Sequence, residues 1–210
     1  MERTYRYLGY FFLLLIPLIY AGFYKSYFQS FPFAKNIHVF EHLHAFIASI
    51  WVLILIVQPF LILNNKTAIH RKVGKLSYIV FPLLIVSFVP QIVKIIRTED
   101  MANLFFPLGD GVLLIAFYSL AIYNRKTTSK HMRYMIASAL VLLGPTWGLI
   151  GGSLLGMSDL LTQNIQYAII YSILAGLTLY DIRNKKNYFP YLLAIFGFML
   201  HQAVYYWVFL

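Results

Sequence analysis

The chain is 210 residues long, 60% hydrophobic and only 11% charged, with a net charge of +10 and no cysteine. So few charges cannot cover the surface of a soluble domain of this size. The lack of cysteine excludes disulfides, thiolate metal sites, iron–sulfur ligation and cysteine nucleophiles, leaving His, Asp, Glu and backbone oxygen as the only metal ligands.

The charges gather in short clusters separated by apolar runs of about 18 to 24 residues, the length that spans a hydrocarbon core ~30 Å thick. Seven helices are predicted: Tyr7 to Tyr24, His42 to Leu63, Leu76 to Ile96, Leu104 to Tyr123, Tyr134 to Met157, Ile165 to Tyr180, and Pro190 to Leu210. The fold class is therefore all-α, an integral membrane bundle of about seven transmembrane helices. No stretch is polar enough for a linker, so residues 1–210 read as a single domain. The first apolar run lacks a small-residue cleavage site and is expected to stay as helix one.

Between helices one and two, Lys25 to Glu41 carries Tyr27, Phe28, Phe31 and Phe33 and is expected against the membrane interface. On helix two, Glu41, His44, Ala48, Trp51, Leu55 and Gln58 recur at the spacing of one helical face, which should point inward. On helix three, Ser87, Gln91 and Lys94 share a face. Asp110 is the carboxylate inside helix four. Helix five has Gly144, Gly148, Gly152 and Gly156 along one side, read as a groove for close helix packing, and Pro145 as a bend. Helix six is the shortest. Helix seven places His201 near its middle, with Tyr188, Phe189 and Tyr191 at one end and Tyr205, Tyr206 and Trp207 at the other.

The basic residues set the predicted topology. Arg3 and Arg6, then Lys66, Arg71, Lys72 and Lys75, then Arg125, Lys126, Lys130 and Arg133, then Arg183, Lys185 and Lys186 all fall on one side. Only Lys25, Lys35, Lys94 and Arg97 fall on the other. The positive-inside rule then puts the N-terminus in the cytoplasm and the C-terminus outside. The basic turns read as anchors on anionic lipid headgroups of the cytoplasmic side, not as a nucleic-acid surface. The turn from Asn64 to Arg71 also echoes that from Asn124 to His131, as a duplicated helix pair would.

Ionisable residues within a bilayer are costly and mark candidate sites. Counted from the outer ends of their spans, His44 lies roughly 3 Å deep, Gln91 roughly 7 Å, Asp110 roughly 9 Å and His201 roughly 13 Å. All are in the outer half and are expected to converge on one outward-facing cavity. His38 and His42, four apart, add to a candidate metal set of His44, Asp110, His201, His42 and His38, suited to Zn, Cu or Fe. Glu41, Gln58 and Gln91 would line it. On the cytoplasmic side, His70 with Arg71 and His131 with Arg133 read as lipid-phosphate contacts, or as a haem clamp in which the arginines pair with the propionates.

His42-Leu43-His44-Ala45, Trp51, Gln58-Pro59, His70-Arg71-Lys72-Val73-Gly74 and His131-Met132-Arg133-Tyr134-Met135 together resemble a family of uncharacterised bacterial multi-pass membrane proteins with H-x-H-A, H-R-x-x-G and H-x-R-aromatic-M motifs. The resemblance covers roughly residues 42 to 150 and implies a bacterial cytoplasmic (inner) membrane. More faintly, the H-x-R-x-M turn is similar to that of small membrane proteins that assist maturation of haem–copper oxidases. By that likeness His44, His70, Arg71, His131 and Arg133 become functional candidates. Gly144-Pro145-Thr146-Trp147 stands where the family often has a further arginine.

Three functions fit the sequence. The first is a metal- or haem-binding protein of redox chemistry or respiratory-complex assembly. The second is a membrane-embedded zinc hydrolase, similar to the progestin and adiponectin receptor type, although H-x-x-x-H on the last helix is here His201 followed by Gln202, Ala203, Val204 and Tyr205. The third is a transporter or non-catalytic membrane partner protein in which Asp110 relays protons beside Gln58, Gln91 and His201.

Overall fold

The computed structural model describes residue 5 and residues 7–31 and 37–210. Arg3, Arg6, Phe33 and Lys35 lie outside the described residues. The described residues form α-helices, with short 3-10 and π turns and no strand: α1 Leu8–Leu13, α2 Leu15–Phe23, α3 Val39–Leu63, α4 Thr67–Val86, α5 Val89–Arg97, α6 Phe105–Tyr123, α7 Thr128–Val141, α8 Leu143–Leu149, α9 Asp159–Arg183 and α10 Phe189–Phe209.

Six helices are long and apolar enough to cross a membrane: α3, α4 running into α5, α6, α7 running through α8 to Leu154, α9 and α10. Leu8–Phe23 is an apolar helix of shorter length. The protein is an all-α integral membrane protein of about seven helices. Its contacts divide it into two units, Met1–Glu99 and Asp100–Leu210. The division falls in an ordinary short turn, which is why the sequence, with no linker, reads as one bundle.

Two spans are interrupted, each by proline chemistry. A proline has no N–H for the carbonyl four residues back. Pro90 stands four residues after Val86, where α4 ends, and Pro145 stands four after Val141, where α7 ends. The sequence predicts the second break as a bend and reads helix three as continuous. Beyond α8 the chain opens into a π turn over Ile150–Leu154 and stops at Gly156, whose φ of +64° suits glycine.

The echo between turns is threefold. Helices α3, α6 and α9 end at 63, 123 and 183, and each is capped by an asparagine, Asn64, Asn124 and Asn184. Each Nδ2 donates to the carbonyl four residues back, Phe60, Leu120 and Tyr180, at 2.8 Å. Asn65 and Lys185 then take positive φ, and Lys66 and Lys186 donate back to Leu61 O and Asp181 O, each at 2.8 Å. The third turn escapes the sequence comparison because Lys185-Lys186-Asn187 lacks the Lys-Thr shared by the first two.

In the first unit, the face of α3 predicted to point inward does so most strongly at its centre. Trp51 and Leu55 are buried, and the Trp51 ring lies 5.1 Å from that of Phe81 on α4. In the second unit α6, α7, α9 and α10 pack around Ile136, Leu140, Ile170, Leu174 and Phe198, all buried. Helix α9 extends well past the predicted Ile165 to Tyr180. Its added turns carry Thr162, Gln163 and Asp181, and these polar side chains are buried inside the unit.

Candidate functional site

The second unit brings together two of the residues singled out in the sequence. Asp110 sits near the start of α6 and His201 eight residues before the end of α10. His201 Nε2 lies 3.5 Å from Asp110 Oδ1, longer than a good hydrogen bond, and has no hydrogen-bond partner of its own. On the other side of the ring, Nδ1 is 2.8 Å from the phenol oxygen of Tyr167 on α9. When the phenol donates to Nδ1, the ring carries its own proton on Nε2, aimed at the carboxylate. Phenol, imidazole and carboxylate thus stand in series, and each can give or take a proton.

Small residues make the room. A Cβ on Gly109 would fall 2.7 Å from His201 Nε2, and one on Gly144 would fall 3.1 Å from Asp110 Oδ2. Gly144 therefore admits a carboxylate rather than a neighbouring backbone. The rest of the predicted glycine groove is loose: a Cβ on Gly148 would meet only Gln163 at 3.9 Å, and nothing lies within 4 Å of one on Gly152 or Gly156. The close approach in this segment is at Gly151, off the predicted stripe, where a Cβ would be 2.6 Å from Thr162 Oγ1.

Aromatic and amide groups hold the chain in place. The Phe105 ring packs 4.5 Å from the His201 ring, and Tyr205 packs on Phe105 and Tyr167. Tyr171 donates to Gln202 Oε1 at 2.7 Å, Gln202 donates to the Tyr206 oxygen at 3.1 Å, and Tyr206 donates to Asn164 Oδ1. Trp147 Nε1 donates to Thr162 O at 3.1 Å, pinning α8 to α9. Of the aromatic residues predicted at the end of the last helix, Trp207 is exposed whereas Tyr205 turns inward.

The histidines of the first unit have their own partners. His44 Nδ1 is 2.8 Å from Ser87 Oγ, whose hydroxyl donates to Leu84 O at 2.6 Å, so the imidazole nitrogen is the donor of the pair. His42, two residues earlier on the same helix, faces a different way and meets the Tyr27 hydroxyl at 2.7 Å, with Phe31 beside it. His38 begins the helix, its backbone N–H donating to Glu41 Oε2 at 3.3 Å. Glu41 in turn pairs with Lys94 at 3.0 Å. Gln58 donates to His70 O at 3.2 Å, and Gln91 is exposed. His38, His42 and His44 therefore do not gather, and among the described residues no group of three or more His, Asp or Glu side chains is placed to hold a metal.

At the basic end, Arg133 is fully buried. Its Nε donates to Asp181 Oδ2 at 2.6 Å, its Nη2 to Asp181 Oδ1 at 2.9 Å and its Nη1 to Ser129 O at 2.8 Å. The Tyr191 ring lies 5.9 Å from the guanidinium carbon. This arginine, expected as a lipid or propionate contact, is spent inside the protein. His131 Nδ1 donates to Ala121 O at 2.8 Å, and Arg71 is exposed.

Tyr167 and Asp181 are the partners that sequence reasoning missed, whereas Ser87 stands on the polar face it predicted for helix three. Tyr167 is one of 17 tyrosines and has no distinguishing spacing. Asp181 carried a signal: it is an acid among turns otherwise rich in Lys and Arg. No family model, curated protein or solved structure matches this chain.

Proposed function

We propose that this protein is a membrane transport protein that moves protons, with Asp110, His201 and Tyr167 as the relay. The observation that carries the reading is the series itself: a carboxylate, an imidazole and a phenol on three different helices, linked at 3.5 and 2.8 Å and away from the basic turns. A proton leaving the Tyr167 hydroxyl for Nδ1 displaces the Nε2 proton toward Asp110, and a proton from water restores the phenol. The flanking glycines leave both polar groups free of side-chain crowding. The distribution of basic residues supports an N-terminus in the cytoplasm and basic turns on anionic headgroups, and the resemblance of the His-containing turns to bacterial multi-pass proteins supports residence in a bacterial cytoplasmic membrane.

The test is proton uptake into proteoliposomes carrying a pH-sensitive dye and driven by a potassium diffusion potential. Wild-type vesicles are expected to take up protons well above protein-free vesicles, and Asp110→Asn to bring uptake down at least about tenfold. Uptake unaffected by that substitution removes the reading.

One observation favours a second reading. Two ligands of a single divalent ion stand about 3.3 to 3.5 Å apart, as Nε2 and Oδ1 do here, given metal–ligand bonds of ~2.0 to 2.2 Å. In that case Nδ1 donates to the Tyr167 oxygen and orients the ring, the part a buried partner plays for a ligating histidine. Such an ion would need further ligands from backbone or solvent. Elemental analysis of purified wild type beside His201→Ala decides it: near-stoichiometric metal lost in the variant supports the ion, and equal trace levels in both dismiss it.

A further inference from the structure

Buried polar atoms in proteins nearly always have hydrogen-bond partners, and inside a membrane an orphan is especially expensive. In the second unit three such atoms are buried without one: Thr162 Oγ1, Gln166 Oε1 and His201 Nε2. Their residues are respectively 2%, 4% and 8% exposed, so lipid and bulk solvent do not reach them directly. They also follow one another. Thr162 lies about 5 Å from the start of α9, Gln166 about 10 Å, and His201 about 12 Å from the end of α10. Gln166 is adjacent in sequence to Tyr167, the phenol bonded to His201.

Thr162 departs from its own kind. Thr146 and Thr178 each give their hydroxyl to the carbonyl four residues back, at 2.7 Å. Thr162 makes no such bond and packs its side chain on Gly151, a Cβ there falling 2.5 Å from Cγ2 and 2.6 Å from Oγ1; Gly151 stands in the π turn, a feature that recurs at functional sites. A hydroxyl and an amide oxygen about a helical turn apart, with an imidazole N–H about 2 Å deeper than the amide, are what a file of water molecules requires, since each water needs two to four polar partners.

We propose that the Thr162–Gln166 face of α9 carries a file of water molecules from the helix's N-terminal end to His201, open at that end and closed toward the basic turns. It rests on the relay reading and deepens it by giving the relay a single side of access. The water supplies the proton that restores Tyr167. Below His201 the core closes over Ile170, Leu174 and Phe198, all buried and apolar.

Because the chain has no cysteine, single thiols can be introduced without background. Thr162→Cys and Gln166→Cys are compared with Ala168→Cys, on the exposed face of α9, in vesicles of known sidedness treated with a membrane-impermeant cationic methanethiosulfonate. Two positions keep the test alive if one variant misfolds. The expected result is labelling of Thr162→Cys and Gln166→Cys at least about tenfold faster than Ala168→Cys, from the side of the α9 N-terminus only. Labelling no faster than Ala168→Cys, or labelling from the side of the basic turns, overturns the water file. The outcome is separable from the relay: fast one-sided labelling with proton uptake unaffected by Asp110→Asn would keep the path and discard the relay.

Discussion

The second unit holds two inward-facing carboxylates that have opposite fates. Asp181 is clasped by both arms of the Arg133 guanidinium, at 2.6 and 2.9 Å, with both side chains fully buried. Asp110 has one imidazole at 3.5 Å and a glycine, Gly144, in place of a further partner. A bidentate pair fixes geometry and leaves neither charge available. An under-partnered acid is free to exchange a proton. Incomplete pairing, rather than burial, distinguishes the site from the scaffold.

Removing a partner should therefore have its largest structural effect at the paired acid. Asp181→Ala strands a buried guanidinium and is expected to cost about 3 to 5 kcal/mol, the usual penalty for breaking a buried pair. Thermal unfolding in detergent, followed by size-exclusion loss of the monodisperse peak, measures it; a Tm like that of wild type would mean that Arg133 finds other partners. Gly109→Ala is next. Its Cβ would press on His201 Nε2, and overpacking of this kind costs about 1 to 3 kcal/mol. Proton uptake should fall with it, and a variant retaining both stability and uptake would show that the ring has room to move.

Asp110→Asn should be smaller still in stability, about 1 kcal/mol or less, because no close hydrogen bond is lost, while it has the largest effect on uptake. A strongly destabilised Asp110→Asn would erase the contrast between the two acids. The smallest effect belongs to the first unit. Lys94→Ala breaks an ion pair whose side chains are 57% and 34% exposed, and surface pairs are worth about 0 to 1 kcal/mol. A larger loss, read by the same thermal assay, would place that pair among the structural ones.

The spans were legible because each is an uninterrupted apolar run, and Asp110 and His201 because ionisable residues are so scarce within them. The sequence predicts a shorter α9 because Thr162 and Gln163, just before Ile165, look like the polar edge of a turn; in the structure they belong to the helix's buried face. Tyr167 was hidden for a different reason: an aromatic side chain on a membrane helix carries no mark of the hydrogen bond it makes with a residue 34 positions away. The metal set was over-read at its outer members. His42 and His44 are two apart on one helix and so cannot face the same partner, a constraint already present in their spacing. The sequence assigns Arg133 to the surface because its position in a basic turn outweighs the lone acid, Asp181, 48 positions later.

The claim that Asp110 exchanges a proton through His201 with Tyr167 is tested most directly by infrared difference spectroscopy across a pH jump, on wild type, Asp110→Asn and Tyr167→Phe. The account predicts a carboxylic-acid C=O band that vanishes in Asp110→Asn and moves in frequency in Tyr167→Phe. A difference spectrum in which that band survives Asp110→Asn, or is indifferent to loss of the phenol hydroxyl, would contradict it.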